Sequence, residues 1–204
     1  MSLKSPIVIG TVLVVVLSAG IFFARTVFNP GVKVLPSLES VSTGEAPWAP
    51  ELAHLRERLK AIGLPALSSE GTALHIHQHL SIFIHGVSTV VPKDIGVQEG
   101  PGGFISPLHI HDTSGVVHVE SPTVETFTLG QFFNVWGVRL TDSCIGGYCS
   151  DATNTLKLYI NGTPYTGDPQ KLELAPHQVL VITFGMASET PAIIPTSYSF
   201  PAGY

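Results

Sequence analysis

Seven of the nine histidines in this 204-residue chain fall between residues 75 and 118, in the runs HIHQHLSIFIH (75–85) and LHIHDTSGVVHVE (108–120). A neutral imidazole offers one nitrogen lone pair, which Zn, Cu, Ni and Fe ions all accept. Three imidazoles converging on one point leave a coordination position open to water or substrate. Both runs alternate histidine with apolar or neutral residues, and side chains on a strand switch faces at every residue. His75, His77, His79 and His85 therefore share one face of a first strand, and His109 and His111 share one face of a second. Ile76, Leu80, Ile82, Ile84, Leu108 and Ile110 lie on the opposite faces and are apolar enough to meet a core.

Whether His118 joins His109 and His111 depends on the turn at Asp112, Thr113, Ser114 and Gly115. Asp bonds its own turn backbone and Gly accepts positive φ, so the segment reads as a hairpin. A loop of Asp112 to Gly115 with a left-handed Gly115 pairs His111 with Val116 and His109 with His118, and puts Glu120 on the same face. A three-residue loop with a bulge at Gly115 would move His118 to the other side. The first register is the one adopted. Directly opposed side chains then sit about 5 Å apart, close enough for shared ligation.

The expected metal ligands are His75, His77, His79, His109, His111 and His118. Glu120, Asp112 and His85 are expected to orient or supplement them, because ligating imidazoles are commonly held by a carboxylate at the far nitrogen. The competing reading is a polar sheet face, or an interface that charges near neutral pH. Between residues 72 and 125 the only Lys or Arg is Lys93, against Asp94, Glu99, Asp112, Glu120 and Glu125, so a cation meets little repulsion. The only methionines are Met1 and Met186, which leaves no Met-rich relay for Cu(I). An all-imidazole set suits Cu(II) or Zn, with Fe or Ni behind if Glu120 or Asp112 joins; copper is favoured, with zinc or iron as alternatives. The number of ions does not follow from the spacing.

The elements that must position these residues read as an α+β domain, mainly antiparallel sheet with one packed short helix, preceded by a single N-terminal transmembrane helix. Residues 7–24 carry no charge between Lys4 and Arg25. As a helix they rise about 27 Å, close to the hydrocarbon thickness. A cleaved signal peptide is the alternative. Residues 1–25 are assigned to the anchor and 26–71 to a Pro- and Gly-containing linker with a short amphipathic helix at 50–62, its stripe being Leu52, Leu55, Leu59 and Ile62. Residues 72–187 form the metal-binding domain, and 188–204, with three prolines, an extended tail packed loosely if at all. Within the domain, Thr128 and Gln131 predict a capping box for a helix burying Leu129, Phe132, Phe133 and Trp136. NTLKLYINGTPY (154–165), KLEL (171–174) and QVLVITF (178–184) predict strands, the first ending in an Asn161–Gly162 turn.

Cys144 and Cys149 bracket a loop containing Gly146 and Gly147, and are expected to form a disulfide, which persists only in an oxidising compartment. Lys4 against Arg25 and Lys33 weakly opposes export under the positive-inside rule. The plan of an apolar segment followed by a soluble domain, together with the cysteine pair, points to a single-pass membrane protein with its domain on the extracytoplasmic side. A formal charge of −5 without a basic run gives no footprint for nucleic acid. No glycine-rich phosphate loop or nucleophile elbow is present.

Gly103, five residues, then His109, Ile110 and His111 is similar to the opening of the cupin metal motif, but Glu120 comes too late for that motif's glutamate. The runs HIHQHL, LHIHD, GVVHVE and LGQFFNVWG together resemble a group of membrane-anchored prokaryotic exocytoplasmic proteins across residues 74–184, a resemblance that brings no established activity with it. Three functions compete: metal holding or delivery; a three-histidine metalloenzyme activating water or oxygen, with Glu120 as proton shuttle; and a structural subunit contacting a protein partner in a membrane complex. An enzyme needs an open coordination position, a carrier an exchangeable ion, and a subunit only a partner.

Overall fold

The alternating histidine run forms an interior strand of a seven-stranded mixed sheet. The computed structural model describes residues 41–204. The expected anchor at 1–25 and the first part of the linker, 26–40, lie outside the described residues. Among the described residues no helix is long and apolar enough to cross a membrane.

In chain order the elements are α1 (Leu55–Ile62), β1 (Leu74–Ile84), β2 (Val87–Thr89), β3 (Val97–Gln98), β4 (Phe104–Ile105), β5 (Leu108–His109), β6 (Val116–Ser121), α2 (Leu129–Trp136), β7 (Cys144–Ile145), β8 (Tyr148–Cys149), β9 (Thr155–Ile160), β10 (Thr163–Tyr165) and β11 (Val179–Gly185). The main sheet runs β10–β9–β11–β1–β6–β5, with β2 also paired to β1. All its ladders are antiparallel except β1 with β11, which run parallel. The expectation of a mainly antiparallel α+β fold holds, and the one parallel ladder is the feature the sequence pattern did not reveal. Both strands of that ladder are long and apolar on the core side, as a strand covered by helices tends to be.

One sheet face packs beneath both helices. Leu80, Ile82, Val117, Val119, Leu180, Ile182 and Phe184 of the sheet share a core with Leu55 and Leu59 of α1 and Leu129, Phe132, Phe133 and Trp136 of α2. The capping box of α2 forms as its sequence predicts. Thr128 Oγ1 accepts from Gln131 N at 3.2 Å and Gln131 Oε1 accepts from Thr128 N at 2.9 Å. Gly137 closes the helix in the left-handed region, its N–H donating to the Phe133 carbonyl.

Three expectations change. First, α1 begins at Leu55 rather than Pro50, because the Glu51 N–H donates to the Trp136 carbonyl and its carboxylate accepts from His54 N at 3.3 Å. Second, residues 42–67, assigned above to the linker and its amphipathic helix, pack on the domain: Trp48, Leu55, Leu59 and Leu64 are buried in its core, and Ser42 and Leu67 form bridges to Val138 and Ile105. Arg58, on the stripe side of α1, is fully buried; it pairs with Glu51 and donates to the Asn134 and Val135 carbonyls at 2.7 and 3.2 Å. A cation thereby satisfies carbonyls left free at the C-terminal end of α2. Third, KLEL is not a sheet strand. Pro169–Lys171 make a 3₁₀ turn capped by Asp168. The Leu172 carbonyl accepts from Leu129 N and the Leu174 N–H donates to Phe127 O, so the segment ties to the start of α2.

The β7–β8 hairpin carries a disulfide between Cys144 and Cys149, as the flexible intervening loop predicts. The decisive turn is the one joining β5 to β6. Gly115 has φ +82°, and a Cβ there would meet the Leu80 carbonyl oxygen at 2.5 Å, so glycine is required twice over. The pairing that results is His109 opposite His118. Gly115→Ala is expected to destabilise the domain by about 1–2 kcal/mol from the left-handed backbone alone, and by more where the Leu80 strand must move; urea unfolding checks this, and an unchanged midpoint would refute it.

Candidate metal centre

Three adjacent strands bring the histidines together. The β1–β6 register places His75 opposite Glu120 and His77 opposite His118, and β5 adds His109 on the far side of His118. One rung of the sheet thus carries His77, His118 and His109 in a row. His111 follows two residues after His109, just beyond β5. Glu70 arrives from outside the sheet. Gly71 makes this approach possible, since a Cβ at that position would lie 2.1 Å from the Ser121 backbone, and the Ala73 N–H fixes the segment by donating to Ser121 O at 3.0 Å.

The donor atoms fall into overlapping groups. Within the first, His75 Nε2 lies 3.2 Å from His77 Nε2, and His77 Nε2 lies 3.1 Å from His118 Nδ1. Glu120 Oε1 is 3.0 Å from His118 Nδ1, 3.2 Å from His75 Nε2 and 3.8 Å from His77 Nε2. On the other side, His109 Nε2 is 3.1 Å from His111 Nε2 and 3.9 Å from Glu120 Oε2, and His111 Nε2 is 3.2 Å from Glu70 Oε1. Each of three triads, His75/His77/Glu120, His109/His111/His118 and Glu70/His109/Glu120, could hold a metal ion. Donors about 2.0–2.1 Å from a tetrahedral ion stand about 3.3–3.4 Å apart, which these spacings approach. In addition, His109 Nδ1 is 2.9 Å from the Ser106 carbonyl. That contact makes Nδ1 the protonated nitrogen and leaves the Nε2 lone pair for an ion.

Not every expected residue joins. His79 lies outside these groups: its Nε2 is 3.1 Å from the Ser114 carbonyl and its ring stacks on Tyr198 at 3.9 Å. His85 sits in the left-handed region at the β1–β2 turn and pairs with Glu189 at 2.9 Å, because the strand ends one residue before it. Asp112 caps its own turn by accepting from Ser114 N at 2.8 Å. Glu70 is the residue that sequence reasoning missed; it precedes the alternating pattern and reaches the centre only through a backbone contact. The tail, expected to pack loosely, covers part of the row. The Tyr204 ring lies 4.4 Å from His77 and 5.1 Å from His118, and Phe200 stacks on His177 at 4.8 Å. Farther along the same face, Ile194 and Tyr198 pack on Tyr159, Val179 and Val181.

The environment favours neutral imidazoles. Burial lowers His109 to about 3, helped by the neighbouring His118; burial and the same neighbour lower His77 to about 4. Burial alone would raise Glu120, but hydrogen bonding from His118 and the charges of His109 and His118 outweigh it and bring the carboxyl down to about 2. Unprotonated nitrogens beside a carboxylate are the state in which a cation binds. Comparison with family models, curated proteins and solved structures gives no match.

These shifts set the pH dependence of the metal-free fold. An unfolded histidine takes up its proton near 6.5, whereas folded His77 and His109 do so only near 4 and 3. Between those limits the unfolded chain binds more protons, so stability falls as pH falls; above about 6.5 neither group contributes. Glu120 adds a loss of the same sign between 4.5 and about 2. The unfolding free energy of metal-free protein is expected to decline steadily from pH 7 to pH 4, and a flat profile over that range would refute the assignment of buried neutral imidazoles.

Proposed function

We propose that this chain is a membrane-tethered, extracytoplasmic protein that holds a divalent transition-metal ion, copper first, for storage or delivery. The observation that carries the reading is the convergence of His75 Nε2, His77 Nε2 and Glu120 Oε1 at separations of 3.2–3.8 Å, with His118 Nδ1 adjoining at 3.1 Å from His77 Nε2 and 3.0 Å from Glu120 Oε1. Nitrogen lone pairs 3.1–3.2 Å apart repel unless a proton or a cation lies between them. A proton bridges one such contact, while a central ion serves all of them.

Holding rather than turnover is favoured by the number of donors. Catalytic sites commonly keep a position open, whereas structural sites close a tetrahedron with four protein ligands. Three imidazoles and a carboxylate complete that set, and the Tyr204 ring lies against two of the imidazoles. Copper is placed ahead of zinc by the affinity order of divalent ions for nitrogen and oxygen donors. The disulfide supports an oxidising compartment.

The full chain, purified in detergent without a histidine tag or chelator, is expected to take up Cu(II) and to give an electron paramagnetic resonance spectrum with nitrogen hyperfine structure. His75→Ala with His77→Ala is expected to lower the affinity at least tenfold. Metal-free protein that also fails to take up Cu(II) would overturn the proposal; preferential uptake of Zn(II) would overturn the choice of copper.

A further inference from the structure

Glu120 presents its two oxygens to different donor groups. Oε1 faces His75, His77 and His118, at 3.2, 3.8 and 3.0 Å, while Oε2 faces His109 at 3.9 Å. On the Oε2 side, His111 Nε2 lies 3.1 Å from His109 Nε2 and 3.2 Å from Glu70 Oε1, and Glu70, His109 and Glu120 form one of the triads able to hold an ion. Seven side chains therefore supply eight donors, which divide four and four when His118, which also groups with His109 and His111, is counted through its Nδ1, 3.1 Å from His77 Nε2. From this geometry we infer a dinuclear centre, resting on the metal-holding reading above, in which Glu120 bridges one ion on His75, His77 and His118 and another on His109, His111 and Glu70.

A carboxylate bridge is the chemistry two close cations require. Divalent ions in two-metal sites stand about 3.5–4 Å apart, and their repulsion needs an anion shared between them. Glu120 is buried between the two groups, and Glu70 brings a second carboxylate to one side. The two sides also differ in access. The first group buries His77, His118 and Glu120 and leaves only His75 half exposed; the second leaves both His111 and Glu70 half exposed. The Glu70 side is accordingly the more exchangeable position, and the His77 side the one that retains its ion.

The test uses the full chain in detergent, titrated with Cu(II) alone. Two equivalents are expected to bind. The first gives an isolated Cu(II) resonance signal, and the second broadens and diminishes that signal through spin coupling instead of doubling it. Glu70→Gln and His111→Ala alter half-exposed side chains and are expected to reduce uptake to one equivalent while retaining the isolated signal. His75→Ala is expected to weaken the other ion at least tenfold. One equivalent in the unaltered chain, insensitive to Glu70→Gln and His111→Ala, would overturn the dinuclear centre and leave the single-ion reading standing. Two equivalents with simply additive, uncoupled signals would overturn the Glu120 bridge. No uptake at all would overturn both readings.

Discussion

Pairing of β1 with β6 in a single register decides what this domain can do. It sets His75 against Glu120 and His77 against His118, and a slip of one residue would turn every one of those side chains to the opposite face. Two independent features hold the register. On the core side, Ile76, Leu80, Val117 and Val119 must point beneath the helices, and on the turn side Gly115 presses against the Leu80 carbonyl. The same hydrophobic burial that stabilises the sheet therefore aims the imidazoles.

The cost of that arrangement is concentrated on the opposite face. His77, His109, His118 and Glu120 are buried polar groups, and burying them without partners would be destabilising. They are instead partnered with one another, at distances that make each ring depend on its neighbours for a proton or a cation. Backbone contacts such as Ser106 O to His109 Nδ1 fix individual rings. A face assembled in this way presents unprotonated nitrogens around a buried carboxylate, because burial and neighbouring rings keep His77 and His109 neutral.

Much of this was legible from the chain. Alternation of histidine with isoleucine and leucine identifies the strands and the face, the Asp112–Gly115 turn gives the opposition of His109 and His118, and Thr128 with Gln131 marks the helix start. What was not legible depends on contacts between distant segments. The parallel β1–β11 ladder has no local signature beyond two apolar runs. Glu70 lies in an irregular segment, brought in because Gly71 tolerates the Ser121 backbone. Burial of Arg58 follows from the carbonyl end of α2 lying over α1, and the separation of His79 from the other rings follows from its stacking on Tyr198.

Position along a shared face also explains why only some histidines converge. His75, His77 and His79 lie on one strand at equal spacing, yet His79 meets Val116 across the ladder where His77 meets His118 and His75 meets Glu120. A polar row on one strand becomes a centre only where the next strand supplies donors at matching rungs, and the exhaustion of donors at Val116 ends it. Beyond that rung the face turns apolar: Val179 and Val181 on β11 and Tyr159 on β9 receive Ile194 and Tyr198 of the tail. The segment after β11 thus anchors itself on the apolar part of the face and extends Tyr204 over His77 and His118. The Tyr204 ring covers the His77 and His118 part of the row, and solvent meets the donor set at the half-exposed His75, His111 and Glu70.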